Sequence, residues 1–243
     1  MRFIIGVVIC IFLISLPAAA QSPGSPGSPG SPGAPGAPGA PGGTDTQPLS
    51  AMENYRRGRE LENLNRMNEA NTHYNEALRQ CLDEISGNAA SRNTYTVLTW
   101  TLQRQKKYSE VITWGERGLI LFPDEYRIVE TMGEAFFYLD DYARSLSYMQ
   151  RYTNALPQGE RVSVAYFFAG EIYRITQKYH HADIAYTTAL RFEPNLALWW
   201  YRLGSVREEI GDKTSAIDAY QQALRLNPNY NEARNGLARL QGN

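Results

Sequence analysis

Four prolines, Pro123, Pro157, Pro194 and Pro228, recur at intervals of 34, 37 and 34 residues, and each closes a helical stretch of the same pattern. A period of this size in a chain of 243 residues predicts stacked helical hairpins rather than one globular core. The last copy reads Trp200, Leu203, Gly204, Gly211, Ala216, Tyr220, Ala223 and Pro228. The copy before it reads Tyr166, Ala169, Gly170, Tyr173, Ala182, Tyr186, Ala189 and Pro194. Small residues such as Gly204, Ala216 and Ala223 predict a close crossing of two antiparallel helices, with Trp200 and Tyr220 filling its flanks. Proline cannot continue a helix and disfavours helix in the residue before it, so each hairpin ends at a fixed place.

These residues and spacings resemble the tetratricopeptide repeat, a helix–turn–helix unit of 34 residues. Over residues 51–230 the resemblance implies an all-α, right-handed superhelical solenoid of five hairpins, at 51–84, 92–125, 126–159, 163–196 and 197–230. A single helix at 231–241 is expected to cap the last one, completing a repeat domain over 51–243. The first copy keeps Gly58, Ala70, Tyr74 and Ala77, the second is degenerate, and the third has Tyr152 where a small residue belongs. Extra volume at a close crossing predicts distorted packing or a re-aimed helix there. Three inserted residues, 160–162, account for the interval of 37.

The chain begins with a different signal. Arg2, an apolar stretch over residues 3–16 and Ala18-Ala19-Ala20 read as a secretory signal peptide over 1–20, cleaved after Ala20. Export to a periplasm or to the outside follows, with an uncleaved anchor as the alternative; after cleavage no stretch is left that spans a membrane. Residues 22–42 are seven perfect triplets, four Ser-Pro-Gly and three Ala-Pro-Gly, which obey the glycine rule of collagen. They read as a semi-stiff spacer within a disordered linker over 21–50. Cleavage leaves Cys81 as the sole cysteine, so no internal disulfide is expected.

The chemistry of catalysis is absent from the pattern. There is no nucleophile elbow, no phosphate-cradling glycine loop and no His-Glu-x-x-His helix, and the chain reads as a non-enzyme with no cofactor. His180 and His181 are adjacent on a helix and point about 100° apart, which disfavours a shared metal ion. A formal charge of −1 with no basic run excludes nucleic acid as the natural partner class, and no feature sets an oligomeric state.

What remains is a surface. The resemblance implies that the first helix of each hairpin lines a concave face, which places Tyr55, Arg59, Trp100, Glu130, Glu134, Phe137, Phe167, Glu171 and Tyr201 on a partner-binding groove. The family's best-known peptide clamp uses Lys and Asn where this chain has Tyr55 and Arg59, Thr96 and Trp100, or Glu130 and Glu134, so that clamp is absent. Glutamates among aromatics imply a basic, apolar partner, either a protein or an extended peptide. Two other readings compete: a small apolar or carbohydrate ligand in the aromatic groove, and structural self-association assisted by the triplets.

Overall fold

A computed structural model describes residues 48–242; the expected signal peptide, its cleavage site and the triplet spacer lie outside them. Eleven helices follow one another in the described residues: α1 (Ala51–Asn63), α2 (Met67–Ser86), α3 (Arg92–Arg104), α4 (Tyr108–Leu121), α5 (Tyr126–Tyr138), α6 (Tyr142–Ala155), α7 (Val162–Ile175), α8 (Tyr179–Phe192), α9 (Ala197–Ile210), α10 (Lys213–Leu226) and α11 (Asn231–Gln241). They form an all-α solenoid of five hairpins closed by α11.

Each regular ending has a local cause. Phe122, Leu156, Glu193 and Asn227 cap α4, α6, α8 and α10 with φ between −139° and −129°, and a proline follows each one. Proline holds the preceding residue extended, which stops the helix. No such proline follows α2, and it runs on for 20 residues to Ser86. The turn inside each hairpin is also uniform: Asn65, Lys106, Asp140, Gln177 and Gly211 occupy the same repeat position, and all have positive φ, between 57° and 86°. Only the last is glycine, so four side chains are held where an L-residue is strained by about 1–2 kcal/mol.

The folded unit starts slightly before the expected boundary. The expected linker includes Leu49 and Ser50, yet the Glu53 amide donates to Ser50 Oγ at 3.3 Å and the Ser50 amide donates to Glu53 Oε2 at 2.8 Å, a reciprocal cap on α1. The Leu49 carbonyl accepts from Asn54 Nδ2 and Gln80 Nε2 at 3.0 and 2.8 Å.

Within the hairpins, glycine and tyrosine are matched. A Cβ on Gly58 would stand 2.5 Å from the ring of Tyr74, and on Gly170 or Gly204 it would stand 2.7 Å from Tyr186 or Tyr220. These three rings are almost completely buried. In the second hairpin Gly115 replaces the tyrosine, and Met132 from α5 fills the space. Tyr152 is accommodated rather than disruptive: its hydroxyl lies against Gly159 and accepts the backbone N–H of Arg161 at 3.2 Å, inside the insertion. Cys81 is buried, which pushes its thiol up to about 12 and makes it unreactive.

The first helices form one layer. α1 touches α3, α3 touches α5, α5 touches α7 and α9 touches α11, whereas no comparable contact joins α2, α4, α6, α8 and α10 to one another. Contact on one side and spreading on the other curve the stack, with the first helices on the inner face.

Candidate functional site

The inner face divides into an aromatic cluster near the first hairpins and a series of ion pairs that tie successive hairpins together. Tyr55 lies between Tyr74 and Trp100, at ring-centroid distances of 6.2 and 5.5 Å. The Arg59 guanidinium sits 6.0 Å from the Tyr55 ring and that of Arg127 sits 5.8 Å from Trp100. Tyr55 is buried, Trp100 half-buried. The result is an aromatic pair bracketed by two cations, with one indole reachable from solvent.

The ion pairs share a plan. Tyr74 Oη donates to Glu62 Oε2 at 2.7 Å, and Arg104 from the next hairpin donates to the same oxygen at 2.9 Å. Tyr186 Oη donates to Glu171, which also accepts from Arg174 at 2.9 Å, and Arg202 Nε stands 3.0 Å from it. The Arg202 contact is an ion pair without a well-aligned hydrogen bond. Tyr220 Oη donates to Glu208 at 2.7 Å, and Arg239 from α11 donates to both of its oxygens at 3.1 and 3.0 Å. Burial pushes the Tyr186 hydroxyl well up, reinforced by the charge of Glu171. Burial also raises Glu208, but the bonds from Arg239 and Tyr220 outweigh it and hold that carboxyl below its usual value.

The third hairpin has no such tyrosine, and Arg161 of the insertion serves instead. Its Nε donates to Glu130 Oε1 at 3.0 Å and its Nη2 donates to Glu134, whose other oxygen accepts from Gln103 Nε2 at 2.6 Å. Burial drives the Glu130 carboxyl well above the ordinary range; Arg161 opposes the shift and Glu134, one turn along, adds to it.

Two expectations are corrected here. Glu130, Glu134 and Glu171 do not offer free negative charge to a basic partner, because Arg161, Arg174 and Arg202 already pair with them. Phe167 is not an available anchor: it is 0% exposed and stacks on Trp199 of the next hairpin, centroids 4.8 Å apart. Phe137 is likewise nearly covered, edge-on to Phe168 at 5.0 Å. Of the nine residues, Arg59, Trp100 and Tyr201 keep substantial exposure, and Tyr201 stands apart from the other two, edge-on to Tyr230 beside α11. Tyr138, whose repeat position also places it on the expected groove face, stacks on Tyr108 at 4.7 Å and belongs with them.

Arg161, Arg202 and Arg239 were missed. A signal for them exists: Glu130 and Arg161, Glu171 and Arg202, and Glu208 and Arg239 are each 31 residues apart. Among the described residues no three His, Cys, Asp or Glu side chains come together to hold a metal, and no helix is long and apolar enough to cross a membrane.

The comparisons with known proteins bear on the fold. Tetratricopeptide repeat profiles match residues 163–196 and 197–230. Residues 41 to the end of MamA from Desulfovibrio magneticus RS-1 superpose with a TM-score of 0.59 at 16% identity, covering 74% of this chain and 96% of that one. TTC0263 from Thermus thermophilus, a thermophilic TPR protein, superposes with a TM-score of 0.59 at 17% identity, covering 80% of this chain and the whole of that one. YrrB, a TPR protein with an unusual peptide-binding site, gives 0.52 at 17% identity, with 76% and 91% covered. No curated protein matches the chain. With the hairpin geometry described above, these matches identify the chain as an all-α solenoid that carries tetratricopeptide repeats.

Proposed function

We propose that the chain is a non-catalytic scaffold that holds another protein, or an extended segment of one, on its inner face. The observation that carries this reading is Trp100. It is a half-buried indole between Tyr55 and Arg127, on the layer formed by the first helices. A large aromatic left reachable beside arginines has the composition of an interface anchor. Tetratricopeptide repeats commonly serve as binding scaffolds, and YrrB is one whose site takes a peptide. The place of action we propose is the cell envelope or the outside of the cell, supported by the sequence of residues 1–20.

Site-specific photocrosslinking in the native cell tests the reading. A photoreactive aromatic amino acid at position 100 or 201 should trap a discrete partner, while the same group at Ile184, 66% exposed on α8, should trap none. Trapping at 184 alone would move the interface to the outer face.

A further inference from the structure

We infer that the inner face selects an acidic partner segment; this rests on the inner-face reading above and adds the sign of the charge. The basis is depth. Side chains of Glu130 and Glu134 are 5% and 10% exposed, while Arg161, which bonds both, keeps 31%. Glu171 is 1% exposed beneath Arg174 at 27%, and Glu125 is 6% exposed against 42% for Arg127. The Glu208 and Arg239 pair repeats this order and Glu62 and Arg104 are equally covered, whereas away from the first-helix layer, at Asp183 with Arg207 and at Asp124 with Arg92, the acid is the more exposed partner. Carboxylates therefore form the inner stratum and guanidiniums the outer one, so a partner meets N–H donors first.

The donors have capacity left. A guanidinium carries five N–H groups. Arg161 uses Nε and Nη2 on Glu130 and Glu134, and Arg127 uses the same two nitrogens on Glu125. Arg59 makes no ion pair among the described residues and rests over the Tyr55 ring. With Arg127 over Trp100 at 5.8 Å, two cations bracket one aromatic pair. The acceptors, by contrast, are occupied: Glu134 takes bonds from Gln103 and Arg161, and Glu171 from Tyr186 and Arg174.

A lysine on the partner would have to compete for carboxylates that are already bonded and lie below the surface. An aspartate or glutamate would add charge-assisted bonds without breaking any. Trp100 and Tyr138 beside this patch call for an apolar or aromatic neighbour in the segment. A protein segment fits better than a nucleic acid, because most of the arginines are paired with glutamates and a polyphosphate backbone needs a row of uncompensated cations.

Fluorescence anisotropy on the full chain tests the inference, using three labelled peptides of equal length and phenylalanine content that carry Glu, Gln or Lys at the remaining positions, and an oligothymidylate. The Glu peptide should bind about tenfold tighter than the Gln peptide, and the Lys peptide more weakly than either. Added salt should weaken the Glu peptide selectively. Arg59→Gln, which removes no ion pair, should weaken the Glu peptide severalfold and leave the Gln peptide unchanged. Equal or tighter binding of the Lys peptide or the oligothymidylate, or no detectable binding of the Glu peptide at millimolar concentration, overturns the inference. Trp100→Ala, checked by circular dichroism, separates the two claims. Loss of Lys-peptide binding in that variant would keep the inner-face site and reject its charge. Glu-peptide binding indifferent to both Trp100→Ala and Arg59→Gln would reject the inner-face site itself.

Discussion

The backbone N–H of Arg161 donates to Tyr152 Oη at 3.2 Å, so the residue that breaks the small-residue rule and the insertion that breaks the repeat length are bonded to each other. Tyr152 fills the space under Gly159, the insertion rides over it, and the Arg161 side chain is thereby directed to Glu130 and Glu134. Removing the hydroxyl alone, Tyr152→Phe, should cost about 1 kcal/mol. Tyr152→Ala should cost about 3–5 kcal/mol by leaving a cavity and releasing the insertion. Urea unfolding of both variants measures the difference, and equal losses would mean that the ring is not what supports Arg161.

The positive-φ turns give a second prediction. Gln177 is exposed and stands at φ 58°, where Gly211 stands in the next hairpin. Gln177→Gly should raise stability by up to about 1 kcal/mol, and Gly211→Ala should lower it by about 1–2 kcal/mol, both read from thermal melts.

A third concerns pH. Burial holds the Glu130 carboxyl above its ordinary value of 4.5, with Glu134 adding to the rise and Arg161 opposing it. The unfolded chain therefore loses this proton first, and the stability due to Glu130 falls as pH rises from that value toward the raised one. Glu130→Gln cannot titrate. As pH rises above 4.5 the variant should gain on the natural protein, by at most about 1.4 kcal/mol per pH unit. Asp141 and Asp212, whose carboxyls are held low chiefly by hydrogen bonds at helix N-termini, act in the opposite direction but equally in both proteins. Parallel stability curves would show that Glu130 is ionised throughout.

The closing helix supplies a fourth. Gly236 lies against the Tyr220 ring and Arg239 bonds Glu208. Deleting residues 231–243 uncovers the Tyr220 ring and Ala223, and should lower the melting temperature and the solubility together. Arg239→Ala alone should cost less than about 1 kcal/mol, because Arg239 is 61% exposed. An unchanged melting temperature after truncation would contradict the capping role.

The elements were legible because their causes are local. Prolines stop four helices, and glycine with tyrosine sets the crossings at Gly170 and Tyr186 and at Gly204 and Tyr220. Depth on the inner face was not legible, because it depends on the neighbouring hairpin. Phe167 has the position of a groove residue, and Trp199 of the next hairpin covers it. Arg161 lies in an insertion outside the repeat register, so only its 31-residue spacing from Glu130, shared with Glu171 and Arg202 and with Glu208 and Arg239, pointed to the pair.

Oxidative footprinting of the unsubstituted chain, free and mixed with the partner that crosslinking identifies, measures directly which face the partner covers. Trp100, Tyr138 and Tyr201 on the first helices and Trp114 on α4 are all partly exposed, so all four are modified in the free protein. The partner should protect Trp100 and Tyr138, with Tyr201 following if it spans the length of the groove, and should leave Trp114 unchanged. Protection of Trp114 with Trp100 and Tyr138 still fully reactive would contradict the account and assign binding to the outer helices.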